Sequence, residues 1–184
     1  MTDLLLLSTF LAGPQHGYAL KKKAGLITGQ AEIHNNLVYP LLRRFVENGW
    51  VGQQQAAGQR GQTREMYALT AKGKQELIRR LSQFTEKEAA SEHEFFLRVG
   101  LFPVLDAATR RRILAERDRW LTDREEKLAQ LAGAMDVGLR GGEVVRFLRQ
   151  RIRAELAWIL SLDGKINRAA NTGETSKRAN RRHA

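Results

Sequence analysis

At 184 residues the chain is long enough for one large domain or two small ones, and 42% hydrophobic content is ordinary for a water-soluble fold. Zero cysteines exclude disulfides, cysteine nucleophiles and thiolate metal sites, and four histidines without His-x-x-x-His or His-Glu-x-x-His spacing leave a zinc enzyme almost nothing to build on. The formal net charge of +11 points to a polyanionic partner such as nucleic acid, because each neutralised phosphate releases counterions, although charge alone also fits anionic membranes.

Residues 4–12 are almost wholly apolar and predict a buried first helix, stopped by Gly13-Pro14. His16-Gly17-Tyr18 opens a short second helix over Ala19 to Ile27, in which Leu20, Ala24 and Ile27 share a face beside Lys21, Lys22 and Lys23. After the turn Thr28-Gly29-Gln30 comes the segment from His34 to Trp50 that organises the rest. Its Leu37, Val38, Leu41, Leu42, Phe45 and Val46 recur at three- and four-residue spacing, so one helix face can be buried while Tyr39, Arg43, Arg44 and Glu47 point elsewhere. Asn35 or Asn36 can cap its start, Gly49 supplies the left-handed residue that ends it, and Pro40 falls early in the helix, where a missing N–H costs little. Three short helices with a basic third one are what a helix-turn-helix module requires.

After Gly49 the period turns from helical to alternating. Trp50 to Gln55 and Arg64 to Leu69 predict two strands, and Ala56 to Thr63 a turn carrying Gly58 and Gly61. Arg60, Gln62 and Arg64 make the tip of this hairpin basic, able to reach a groove or its phosphates. A helix bundle followed by such a hairpin is a winged helix. Thr70 caps a further helix running through Phe84, and a boundary is expected near 85–93. Beyond an apolar stretch over Glu94 to Leu105, Asp106 caps a long helix to about residue 132. A last helix runs from Glu143 to about Ile166 with Val144, Phe147, Leu148, Ile152, Leu156, Ile159 and Leu160 on its apolar side. Such faces exceed what two helices and a short aromatic one can cover alone, and a two-fold dimer would also present two recognition helices one turn of duplex apart. The tail from Asn167 is polar, basic and aperiodic and reads as disordered.

The first 84 or so residues resemble the DNA-binding domain of the PadR family of bacterial transcriptional regulators. The residues that carry this are Leu11-Ala12-Gly13-Pro14-Gln15-His16-Gly17-Tyr18-Ala19-Leu20, Val38-Tyr39-Pro40-Leu41-Leu42-Arg43-Arg44-Phe45 with Gly49-Trp50-Val51, and Arg60, Arg64, Tyr67, Leu69-Thr70 and Gly73, in that order. Residues 91–166 resemble the family's C-terminal dimerisation domain in length and pattern. The resemblance implies a homodimeric winged helix-turn-helix repressor that loses DNA when a small molecule binds. It also implies a backbone contact for Tyr39 and a wing role for Arg60 and Arg64. Where the family places a small Ser or Thr cap followed by Gly and Ser or Thr, this chain has His34, Asn36 and Leu37, which points to different base preferences.

The expected architecture is therefore mainly α with a small β-hairpin wing: a winged helix-turn-helix over 1–84, a helical dimerisation and effector domain over 91–166, and a basic tail over 167–184. Candidate DNA contacts are Tyr18, Lys22, Asn35, Asn36, Tyr39, Arg43, Arg60, Gln62 and Arg64. Asn35 and Asn36 suit adenine edges as well as caps, and Lys22 and Arg43 suit phosphate as well as a solvated face. Phe95, Phe96, Trp120 and Trp158 either line a cavity for a small aromatic or cationic effector or simply pack the core or a dimer contact. No catalytic set, metal cluster or phosphate-cradling glycine loop is apparent, so no enzyme and no cofactor is expected. No apolar run reaches the roughly 18 residues of a membrane span, and Leu4 to Leu7 lacks the flank of a signal peptide, which points to the cytoplasm. The partners expected are operator DNA and a second copy of the chain, or a higher oligomer. The alternative is a winged-helix protein-interaction adaptor without specific DNA binding.

Overall fold

The computed structural model describes residues 2–16, 35–57, 63–134 and 141–180 and divides into two compact units, Met1–Gln83 and Phe84–Ala184. The first unit runs α1 (Thr2–Thr9), a 3-10 turn (Phe10–Ala12), β1 (Gln15–His16), α2 (Asn35–Glu47), β2 (Val51–Ala57), β3 (Thr63–Leu69) and α3 (Ala71–Ser82). The helix expected over 19–27 lies outside the described residues.

Leu4 to Leu7 are all buried, the state of a helix that is apolar on every side, and α1 packs on α3. Each such leucine contributes about 1.5–3 kcal/mol by leaving water. Ser8 and Thr9 are buried beside them because their hydroxyls donate back to the carbonyls of Leu5 and Leu6, each at 2.7 Å. The chain then turns at Gly13, where φ is +111°, as the Gly-Pro pair predicts.

β1 is a departure from expectation. Gln15 lies opposite Tyr67 and His16 opposite Met66, so the hairpin gains a third antiparallel strand and the sheet order is β1-β3-β2. His16, expected to lead into the second helix, stands in this strand; two residues are too few to show an alternation. The hairpin is also longer than predicted, pairing from Val51–Leu69 out to Ala57–Thr63. α2 in turn begins at Asn35, so neither asparagine precedes it as a cap, and Pro40 stands at its sixth residue, one or two places further in than a cap at Asn35 or Asn36 would put it.

The second unit holds α4 (Glu86–Ala89), α5 (Glu92–Gly100), a 3-10 turn (Phe102–Val104), α6 (Ala107–Ala134) and α7 (Gly141–Asn180). The boundary expected near 85–93 is occupied by α4 and the start of α5. Each begins with a Ser/Thr-x-x-Glu pattern: the Thr85 N–H donates to Glu88 Oε2 at 2.9 Å, and the Glu94 N–H to Ser91 Oγ at 3.3 Å. α6 starts as predicted, with the Thr109 N–H donating to Asp106 Oδ1 at 2.8 Å.

α6 and α7 pack along each other. Val145, Ile152, Ile159 and Ile166 are buried at seven-residue intervals, the spacing of a coiled-coil seam, and Ile113, Leu114 and Leu121 are buried on α6. Val144, Phe147 and Leu160, expected in the same apolar stripe, are exposed instead, because the apolar arc is wider than one facing helix covers. α7 also continues to Asn180, so residues 167–180 are helical rather than disordered. Ala169, Ala170, Glu174, Lys177, Arg178 and Ala179 are strong helix formers, and propagation from an existing helix avoids the cost of nucleation. No described helix is long and apolar enough to cross a membrane, and no three described His, Asp or Glu side chains are grouped to hold a metal ion.

Candidate nucleic-acid interface

α2 buries Val38, Leu42 and Phe45 and turns the other side outward. Tyr39 is 50% exposed, and Pro40, Arg43, Arg44 and Glu47 are exposed as well. Positions 35, 39 and 43 recur every four residues, which places them along one ridge with a rise of about 6 Å between each. Asn35, Tyr39 and Arg43 therefore share a side of the helix by backbone position, and a rigid row of this kind fits a major groove.

The end of α2 is fixed by a Schellman motif. Gly49 has φ +69°, its N–H donates to the Val46 carbonyl at 2.9 Å, and the Trp50 N–H donates to the Phe45 carbonyl at 2.9 Å. The accompanying apolar contact is Phe45 against Trp50, ring centroids 5.8 Å apart. Directly after it the Trp50 carbonyl accepts from the Thr70 N–H at 3.0 Å, the Thr70 hydroxyl donates to the Gly49 carbonyl at 2.7 Å, and Thr70 Oγ1 accepts from the Gly73 N–H at 2.9 Å. One threonine thus joins the helix end, the root of the wing and the start of α3. In the wing Gln53, Gln54 and Gln55 are exposed on β2. Tyr67 is buried in the middle strand, and its hydroxyl donates to Glu65 at 2.8 Å. Burial, with Glu65 adding to it, pushes that phenol up to about 12.

A charge network ties α1, α2 and α3 together. Asp3 Oδ2 lies 3.1 Å from Arg44 Nη2 and 3.0 Å from Arg80 Nη1, and Arg80 sits 4.6 Å above the Trp50 ring and 2.6 Å from Glu76. Burial raises the Asp3 carboxyl, but its backbone hydrogen bond and the Arg80 and Arg44 charges outweigh it and hold it below the ordinary range. The Arg79 hydrogen bond pulls Glu76 down and, against burial and with Arg80 adding, holds it at about 2. A carboxylate depressed in this way stabilises the fold fully above its unfolded value of 4.5, and that stabilisation disappears as pH falls from there towards 2. Thermal melts across that window should show the first unit losing stability, and Glu76→Gln should flatten the slope; an identical slope in the variant would count against the pairing.

Of the expected contacts, Tyr39 and Arg43 stand on the outward side of α2, and Asn35 and Asn36 belong to its first turn. Arg64 lies within β3, opposite Ala56, rather than in the tip. Tyr18, Lys22, Arg60 and Gln62 fall outside the described residues. In the second unit three of the four effector candidates meet. Phe95 is fully buried, with its ring 5.7 Å from Phe96 and 6.2 Å from Trp158, and the last two are 5.8 Å apart and partly exposed. Trp120 joins them through a cation: the Arg117 guanidinium is 5.2 Å from the Phe95 ring and 4.9 Å from Trp120. An open groove of 730 Å³ lies elsewhere on α6 and α7, with Leu114, Ile159 and Leu160 among its walls and none of the four aromatics.

The sequence pattern described as the transcriptional regulator PadR-like family matches residues 6–79. A solved transcriptional regulator from Thermoplasma acidophilum is 33% identical over 41% of this chain and 72% of its own, with a TM-score of 0.39. Over residues 6–79 the chain is PadR-like. A PadR-family regulator from Eggerthella lenta is 32% identical over 41% of this chain and 63% of its own, TM-score 0.35. Bacillus subtilis PadR in complex with operator DNA is 17% identical over 89% of this chain and 96% of its own, TM-score 0.43. No curated protein matches the chain. The PadR match takes in the second half of α1, α2, the wing and most of α3, so Arg44 and Glu76 of the charge network fall inside it and Asp3 and Arg80 just outside. Asp3, Glu76 and Arg80 were not singled out from sequence as neighbours of this surface. Glu76 with Arg80 was readable as an i,i+4 pair, whereas Asp3 with Arg44 was not, since 41 residues separate them.

Proposed function

We propose that this PadR-like chain binds double-stranded operator DNA as a cytoplasmic homodimer and represses transcription until a small aromatic or cationic molecule releases it. The observation that carries the reading is the outward ridge of α2, with Tyr39 and Arg43 exposed on a helix whose end is locked to the root of a wing. In this reading residues 1–84 meet DNA: α2 enters the major groove with Asn35, Asn36 and Arg43 toward base edges, and Tyr39 meets the sugar-phosphate backbone. Arg60, Gln62 and Arg64 of the wing, with Tyr18 and Lys22, add phosphate contacts. Residues 91–166 hold the dimer. Support for this comes from Val144, Phe147 and Trp158, which recur at helical spacing on α7 and remain exposed, an apolar face suited to a second copy. The Phe95, Phe96 and Trp158 cluster, with Trp120 nearby, is the place assigned to the effector.

The test is retardation of the DNA upstream of the protein's own coding region. Tyr39→Ala and Arg60→Ala should each weaken binding roughly tenfold or more, the scale of a lost hydrogen bond to a charged group, without moving the melting temperature. Unchanged retardation by both would sink the reading, and affinity that does not fall as salt rises would favour the protein adaptor.

A further inference from the structure

We propose that Asp3 is a positioning residue for the DNA-facing surface: by holding the Arg44 guanidinium it keeps Arg44 off the phosphates and leaves Arg43 as the cation that α2 offers. The proposal rests on the DNA-binding reading above. Arg43 and Arg44 are chemically identical neighbours, both exposed, about 100° apart around the helix. They differ in what they touch. Arg44 Nη2 is 3.1 Å from Asp3 Oδ2, whereas Arg43 makes no ion pair with a described residue. An isolated exposed ion pair restrains a side chain weakly. This one is anchored, because the same Asp3 oxygen accepts from Arg80 Nη1 at 3.0 Å, and Arg80 is itself fixed by Glu76 at 2.6 Å and stacked 4.6 Å over Trp50.

The consequence is for specificity. A phosphate contact raises affinity for every duplex equally, so withholding one keeps binding to unrelated DNA low relative to the operator. Asp3 therefore acts on what α2 can read through the residue it holds back from the phosphates. The same carboxylate also ties α1 to α3 through Arg80.

Wild type, Asp3→Asn, Arg44→Ala and the double variant are titrated by anisotropy against the upstream duplex and a scrambled duplex over a series of salt concentrations. Asp3→Asn should tighten the scrambled duplex several-fold and steepen the slope of log K against log salt by about 0.9, one added phosphate contact. Arg44→Ala should match wild type, and the double variant should match Arg44→Ala. An unchanged slope in Asp3→Asn overturns the proposal. So does an equal gain in the Arg44→Ala background, which would assign the effect to the lost negative charge alone. Should Asp3→Asn fail to fold, Arg44→Ala decides by itself: a shallower slope than wild type would place Arg44 on the DNA already. If wild type shows no salt-dependent duplex binding, the DNA reading itself falls and takes this inference with it.

Discussion

Gly73→Ala should destabilise the first unit by about 3 kcal/mol, the upper end of what overpacking costs, and lower its melting temperature by roughly 10–20 °C. Helix propensity argues the other way, since alanine is favoured over glycine inside a helix by about 1 kcal/mol. Geometry decides against it. A Cβ on Gly73 would lie 1.9 Å from the Trp50 carbonyl oxygen, 2.7 Å from its carbon and 2.9 Å from a Leu69 methyl. The obstacle is backbone, and it cannot swing aside cheaply, because the Thr70 amide donates to that oxygen at 3.0 Å. Displacing it would also loosen the end of α2, so DNA binding should fall along with stability. A melting temperature equal to wild type would show that α3 can move away from Trp50 freely and that this junction does not define the end of α2.

Arg117→Ala should cost the second unit about 3–5 kcal/mol, as expected when one partner of a buried ion pair is removed and the other is left uncompensated. Arg117 is only 3% exposed. It holds Glu155 of α7 through two bonds of 2.7 and 3.0 Å and donates to the Ala89 carbonyl at 2.5 Å, as well as facing the Phe95 and Trp120 rings. One side chain thus ties α4, α5, α6 and α7. The double variant Arg117→Met with Glu155→Leu should recover most of the loss, because well-packed apolar residues often match a buried ion pair in stability. Chemical denaturation of the single and double variants measures both. A single variant as stable as wild type, or a double variant no better than the single one, would deny this pair its place in the core.

What the sequence disclosed follows from how local each signal is. The end of α2 was legible because a glycine after an apolar-periodic run needs no tertiary partner to be read, and Asp106 and Thr70 announced their helices in the same way. α4 and α5 were equally legible and passed over: Thr85 with Glu88 and Ser91 with Glu94 are start signals inside the stretch read as a boundary. β1 was not legible, since its strand character comes from pairing with Tyr67 and Met66, some fifty residues away. The apolar arc of α7 was legible as a whole, but not which part of it α6 covers, because that depends on how the two helices turn toward each other. Of the candidate surface, the exposed ridge could be read from periodicity. The restraint on Arg44 could not, because nothing in the run of residues links position 3 to position 44.

The placement of Trp50 has a practical consequence. Trp120 and Trp158 belong to the second unit, while Trp50 alone belongs to the first, seated between Phe45 and the Arg80 guanidinium. Replacing the other two indoles would leave a chain whose emission reports on the helix-end junction and nothing else. A guanidinium stacked on an indole alters its quantum yield, so loosening of that stack on duplex addition would be seen as a change in intensity, free of any signal from the long helices.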